Sequence, residues 1–300
     1  MKNIILDTDL GCDCDDAGAI AVLHNLANRD ECEILSISSC TSRKDAAYAI
    51  QVLNNYYGRS DLPIGIYTEG AMLNGDGPYY TKAIINHYKY KDIKINSSVS
   101  LYRKLLSESE DKSIEFIGIG PLNTLSELIN SEADEYSSLN GVELIKKKVK
   151  CFYIMMGHFP IGNEVTYLSG QVMNAEWNIL QDIKSAQNFM EKCPVDIRVF
   201  PYDIGKVKTG NKLFEEINDS PVRYAYLEHN NGVRESWDPI TVYVAVRGVE
   251  DGWYFSEKGK ITIGDDGVSK HQISSDGKHY VLYQKGEDEA IIKKIDSLLY

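Results

Sequence analysis

Short runs of β-branched and apolar residues alternate along this 300-residue chain with longer stretches whose apolar positions recur every three or four residues. The strand-like runs fall at residues 3–7, 33–39, 63–67, 114–119, 151–156 and 196–200, and helical periodicity at 16–27, 44–57, 122–129, 183–192 and 239–246. Strands interleaved with helices predict βαβ units. Near the C-terminus, KITIGDDGVSKHQ and GKHYVLYQK read as strands joined by turns, and EDEAIIKKIDSLLY as a charged final helix. The chain shows no internal repeat, low-complexity segment or linker. The expectation is therefore an α/β fold: an open, mainly parallel, Rossmann-like sheet with helices on both faces. A single domain over residues 1–300, with a small C-terminal elaboration, is the predicted organisation.

Composition narrows the function classes. A hydrophobic content of 43% and a charged content of 25% are ordinary for a soluble globular enzyme. The net charge of −12, with no compensating basic stripe, argues against a nucleic-acid partner. The one basic cluster, Lys146, Lys147, Lys148 and Lys150, reads as a solvated helix end or loop. After Met1-Lys2-Asn3 only Ile4-Ile5-Leu6 precede the first aspartate, so no signal peptide is expected. No apolar stretch approaches the roughly 20 residues of a membrane span. Cys12 and Cys14 are one residue apart while Cys32, Cys40, Cys151 and Cys193 are scattered, which is neither a zinc spacing nor a disulfide framework. A reduced, cytoplasmic protein is the expectation.

The chemistry concentrates in ILDTDLGCDCDDAGAIAVL, residues 4–22, where Asp7, Asp9, Asp13, Asp15 and Asp16 crowd into ten positions. In a parallel sheet, ligands bind outside the carboxyl ends of strands, which is where the first predicted strand delivers this cluster. Helix capping accounts for one or two aspartates, since Asp favours a helix start and its dipole, but not for five. A hard divalent cation, Ca²⁺ or Mg²⁺, offsets the repulsion and takes oxygen ligands alone. An EF-hand loop needs its glycine sixth, whereas Gly11 is fifth from Asp7, and a strand rather than a helix precedes it. A strand followed by Asp-x-Asp also opens the haloacid-dehalogenase-type phosphotransferases. Those usually continue with Gly and then Thr or Val, whereas Leu10-Gly11 follow Asp9 here.

The stretch resembles the opening signature of the nucleoside hydrolase family, usually Asp-Thr-Asp-Pro-Gly-x-Asp-Asp-Ala, in a variant with two extra residues. Later segments continue the resemblance in order. EFIGIGPLNTLSELI is similar to the family's strand followed by Gly-Pro-Leu-Thr-Asn, with Asn123-Thr124 reversed. FYIMMGH resembles a strand ending in Met-Gly-Gly, and NAEWNILQD a Glu-Phe-Asn-x-x-x-Asp segment with Trp177 for phenylalanine. ESWDPITVYVAV resembles the late aspartate that opens a helix, often preceded by histidine.

The resemblance implies a Ca²⁺ ion held by Asp9, Asp16, Asp238 and the backbone carbonyl of Ile119, with water and two ribose hydroxyls completing the shell. It implies Asp9 as the base that accepts a proton from the attacking water. Asp15, Asn174, Glu176 and Asn178 are the implied ribose contacts, and Met156 is placed beneath the ribose. A surface loop is the competing reading for Glu176 and Asn178, and a core position for Met156. Cleavage of the N-glycosidic bond passes through an oxocarbenium-like ribosyl cation, which an anionic pocket stabilises.

Three departures from the family pattern concern the substrate. Ser39-Cys40-Thr41-Ser42 stands where an asparagine is common, Trp237 replaces the histidine before the late aspartate, and His158 replaces a glycine with potential intrusion on the pocket. Donors for the leaving base are sought in Tyr224, Tyr226 and His229; alternatively Trp237 stacks on the base. The leading expectation is a Ca²⁺-dependent ribonucleoside hydrolase for a common or a modified base, acting as a homodimer or homotetramer. A non-catalytic ribose- or nucleoside-binding protein on the same fold, and a Mg²⁺-dependent phosphotransferase, are the alternatives.

Overall fold

Period-two burial sets the sheet. In the first strand, Lys2–Thr8, Ile4 and Leu6 pack into one apolar cluster and Ile5 into the cluster on the opposite face, all three fully buried. The computed structural model describes the chain except for Cys12, 71–79, 161–166, 169–170, Met173, Asn231 and Asp251, with backbone alone at 167, 168, 171, 172 and 230.

Across the main sheet the strands run Ser269–Ile273, Gly259–Ile263, His279–Gln284, Asp196–Phe200, Val149–Met155, Ile114–Gly118, Lys2–Thr8, Cys32–Ser39. The six from His279–Gln284 to Cys32–Ser39 pair in parallel. Gly259–Ile263, Ser269–Ile273 and Trp253–Phe255 join antiparallel. The C-terminal segment thus extends the sheet rather than standing beside it, and the chain closes with the helix Asp288–Asp296. The mainly parallel α/β sheet is the fold expected from the pattern. Among the described residues, no helix is long and apolar enough to cross a membrane.

Two local readings change. The 63–67 run contributes only Gly65–Ile66, paired in parallel with Asn96–Ser97 in a separate two-stranded ladder. Helices at Tyr80–His87, Ser98–Glu108, Gly141–Lys148 and Pro221–Asn230 stand outside the periodic stretches read from the sequence. The lysine cluster is a helix end: Asn140 and Glu143 form a capping box at one terminus, and Lys146, Lys147 and Lys148 meet the negative dipole end at the other. The described cysteines, Cys14, Cys32, Cys40, Cys151 and Cys193, are all buried and free.

The helices Asp15–Ala27 and Trp237–Arg247 pack against each other, which brings residues from both ends of the sequence together on one face of the sheet. Almost every side chain of both is buried, since each carries small and apolar residues all round.

Candidate active site

The carboxyl ends of four neighbouring parallel strands open onto one cavity of about 320 Å³. Asp9 follows the first strand, Ile119 follows Ile114–Gly118, Met155 ends Val149–Met155, and Tyr202 comes just after Asp196–Phe200. Backbone bonds continue beyond the strand ends and fix these levels: Ile119 N donates to Asp7 O at 2.9 Å and Cys40 N to Thr8 O at 2.9 Å. Gly11, at φ +129°, makes the turn that carries the chain from Asp9 into the acidic loop. Gly120 leaves space that a side chain would fill, because a Cβ there would lie 2.8 Å from Asp9 Oδ1.

The acidic end is dense. Asp9, Asp15, Asp16 and Asp238 are all buried, and one carboxylate oxygen each of Asp13, Asp16 and Asp238 lies within 4.8 Å of the others. Thr8 Oγ1 donates to Asp16, and Asp238 N donates to Asp15 Oδ2 at 3.2 Å. Asp15 Oδ1 is buried with no donor at all. Burial, and then the neighbouring carboxylates, push Asp15, Asp16 and Asp238 well above the usual carboxylate range. Asp13 is held below that range: burial works against it, but its contact with Asp15 and the Arg234 charge prevail. An all-oxygen donor set of this kind, with one acceptor unsatisfied, fits a hard divalent cation.

Glu176 caps the short helix Trp177–Gln181, accepting from Asn178 N at 2.7 Å, Ile179 N at 3.3 Å and Gly157 N at 3.2 Å. Burial pushes its carboxyl up to about 7 against those hydrogen bonds. The Asn178 amide donates to Met155 O at 3.2 Å and reaches the Ile119 carbonyl at 3.5 Å.

The lining also carries the rings of Trp177, Tyr202, His229 and Trp237, with Arg234 among them. Trp237 Nε1 donates to Tyr202 O at 2.9 Å, and the two rings stack with centroids 5.2 Å apart. The Arg234 guanidinium lies 5.0 Å from the Trp237 centroid and bonds Asp13 Oδ2 at 2.8 Å. Burial lowers the His229 pKa below the ordinary histidine value, partly countered by Asp13.

Of the residues singled out in the sequence, Asp9, Asp15, Ile119, Glu176, Asn178, Trp237 and Asp238 all line this cavity, and Asp16 joins through the carboxylate cluster. Met156 does not: successive residues of a strand face opposite ways, so Met155 lines the cavity while Met156 packs in the far cluster. Asn174 is exposed and outside the lining. Tyr226 is wholly buried against the first helix, where its hydroxyl would meet a Cβ on Gly18, and Tyr224 stacks on His87 at 4.5 Å. His229 alone of the three candidate donors reaches the cavity. The His158 ring turns away from it to face Asp203, Nδ1 to Oδ1 2.9 Å, so the feared intrusion does not occur. Ser39 is spent on its own turn, bonding Thr41 Oγ1 at 2.9 Å. Cys12 lies outside the described residues.

Sequence reasoning missed Met155, Trp177, Tyr202 and Arg234. Tyr202 carried a usable signal, since it follows the carboxyl end of a predicted parallel strand.

The fold is shared with solved structures. A plant nucleoside hydrolase aligns with a TM-score of 0.71 at 20% identity, covering 99% of this chain and 97% of that one. The inosine-uridine preferring nucleoside hydrolase from Bacillus anthracis gives 0.73 at 17%, covering 100% and 99%. The type III effector protein XopQ, in complex with adenosine diphosphate ribose, gives 0.72 at 14%, covering 99% and 93%. No curated protein matches the sequence. The sequence pattern of one family does match, from residue 4 to residue 272, across the acidic loop, the strand ends and the helix opened by Asp238. The chain belongs to the inosine-uridine preferring nucleoside hydrolase family.

Proposed function

We propose that this enzyme hydrolyses the N-glycosidic bond of ribonucleosides with Ca²⁺ as its cofactor, the ribose held at the acidic end of the cavity and the base against the aromatic rings. Asp9, Asp16, Asp238 and the Ile119 carbonyl would hold the cation, with Asp13 at the same cluster. The observation that carries the reading is Asp15 Oδ1, a carboxylate oxygen buried without a donor on the wall of a cavity already crowded with carboxylates. A cation or a sugar hydroxyl supplies what it lacks. When bound, the cation polarises the attacking water and the ribose diol.

Asp9 accepts the proton as water oxygen bonds to C1′, and the C1′–N bond breaks with its electron pair leaving on the base. The surrounding carboxylates stabilise the positive charge that develops on the sugar. Asp15, Glu176 and Asn178 orient the ribose. The stacked Tyr202 and Trp237 rings, with Arg234 over Trp237, form the surface against which the base would rest, and His229 is the donor within the cavity. Its lowered pKa leaves little imidazolium at neutral pH, so rates should follow the leaving ability of the base. That favours activated or modified bases over ordinary purines.

Incubation with a panel of common and modified nucleosides and adenosine diphosphate ribose, with free ribose or another reducing sugar as the readout, tests the reading. Chelation should abolish turnover and Ca²⁺ restore it better than Mg²⁺. Binding of nucleosides without release of sugar would identify a binding protein instead, and phosphate release a phosphotransferase.

A further inference from the structure

Asp13 comes with the two residues that lengthen this loop beyond the usual family signature, so the resemblance assigns it nothing. The structure gives it a definite place. Its carboxylate reaches into the acidic cluster, within 4.8 Å of the oxygens of Asp16 and Asp238, although its side chain keeps 27% exposure to solvent. A loop aspartate free to choose would turn outward from that much negative charge.

Arg234 holds it inward. Nη2 of Arg234 bonds Asp13 Oδ2 at 2.8 Å, Nη1 contacts Glu235 at 3.2 Å, and the guanidinium rests over the Trp237 ring. The arginine itself is seated in the strand Arg234–Glu235, paired with Lys208–Thr209. One oxygen of Asp13 is therefore committed to a fixed cation, and the carboxyl is oriented toward its neighbours. Beside it stands the buried Asp15 Oδ1 that lacks any donor, an independent sign that the cluster is completed by a ligand.

We propose that Asp13 is a direct ligand of the divalent cation in this chain, a fourth carboxylate beside Asp9, Asp16 and Asp238, aimed by Arg234. The inference rests on the Ca²⁺ reading above. Ca²⁺ accepts six to eight oxygens, so the additional carboxylate takes the place of a water molecule, and affinity rises with the charge of the ligand set. Arg234 offsets part of the repulsion that a fourth carboxylate adds, and acts as a positioning residue.

The test reads metal binding, not turnover. Calorimetry with Ca²⁺ gives affinity, and Tb³⁺ luminescence lifetimes in H₂O and D₂O count the waters bound directly to the ion. Asp13→Ala should bind Ca²⁺ at least about 10-fold more weakly, and its Tb³⁺ should carry one more water than in the wild type. Asp13→Asn, which preserves the loop's polarity, should shift affinity in the same direction. Arg234→Gln should weaken binding about 10-fold with the water count unchanged, because the ligand stays but its support is gone. An unaltered water count in a folded Asp13→Ala variant overturns direct ligation, whatever the affinity. Asp16→Asn separates the two readings. If it loses Ca²⁺ while Asp13→Ala behaves as wild type, this inference alone fails; if both bind like wild type, the Ca²⁺ reading fails with it.

Discussion

Gly120→Ala asks whether the position of Asp9, and not its charge alone, sets the rate. The new Cβ would lie 2.7 Å from Cys40 Sγ, 2.8 Å from Asp9 Oδ1 and 2.9 Å from Asp9 N, where ordinary contact begins at 3.4 Å. Neither neighbour yields easily. Cys40 is fully buried with its N–H bonded to Thr8 O, and Asp9 N is backbone just past the end of the first strand, which is paired on both sides. The Asp9 carboxylate must therefore retreat by about 0.6 Å, the difference between the contact and its limit. Overpacking of this kind costs about 1–3 kcal/mol of stability. A displacement near 1 Å at a reacting group costs on the order of 10² in rate, so kcat should fall about 10- to 100-fold. Steady-state kinetics on an activated riboside, beside a thermal melt with and without Ca²⁺, would measure both effects. Adding Cys40→Ala removes the sulfur clash but not the carboxylate clash, so the double variant should regain stability and not rate. A folded Gly120→Ala enzyme with kcat within about twofold of wild type would refute the reasoning.

Asp9→Ala should lose roughly 10²–10⁴ in turnover, more if the cation is also lost, yet melt no lower in chelator, since it relieves repulsion among buried carboxylates; wild-type hydrolysis by this variant would remove Asp9 from the mechanism. The sugar contacts in the cavity, Asp15, Glu176 and Asn178, and the poor donor on the base side predict that 2′-deoxyinosine fails, p-nitrophenyl riboside is among the best substrates and inosine is slow. Equal rates for inosine and its deoxy analogue, with no advantage for the activated riboside, would count against that division. Glu176, raised from its ordinary 4.5 to about 7 by burial, holds its proton in the folded chain after the unfolded chain has released it. Its contribution to stability is complete below about 4.5 and is lost as pH rises through 7, so apo Glu176→Gln should flatten that decline in chemical denaturation, and an unchanged pH slope would contradict the shift.

What was readable in the sequence was whatever a single local pattern determines. Carboxylates packed as densely as Asp7 to Asp16 have few uses, and the carboxyl-end rule places them without any coordinates. Side-chain direction is a different matter. Met155 and Met156 differ by one position, and the uncertainty of a strand end exceeds that, so the pattern could not say which faces the cavity. Likewise Tyr224, Tyr226 and His229 share one helix, and only the packing of Tyr226 against Gly18 and of Tyr224 against His87 decides which side chain remains for the cavity. Arg234 gave no signal beyond a charge near Asp238, because its partner Asp13 is 221 residues away. The helices Tyr80–His87 and Ser98–Glu108 do carry an amphipathic pattern, with Tyr80 and Ile84 buried in one and Leu101, Tyr102 and Leu106 in the other, so both were legible in principle.

The pairing of the helix Asp15–Ala27 with the helix Trp237–Arg247 also makes the metal centre a record of chain completion. Asp16 and Asp238 come within ligand distance only after the intervening strands have been laid side by side, so an unfolded or truncated chain offers no equivalent site. A cation that binds the native chain alone adds its whole binding free energy to stability, about 2.7 kcal/mol at a hundredfold excess over Kd. Without it, the same carboxylates push apart two helices whose contact the fold needs. Metal supply thus bears on how long the folded chain persists as well as on whether it turns over: a chain starved of the ion would lose its activity and, with it, part of its resistance to unfolding.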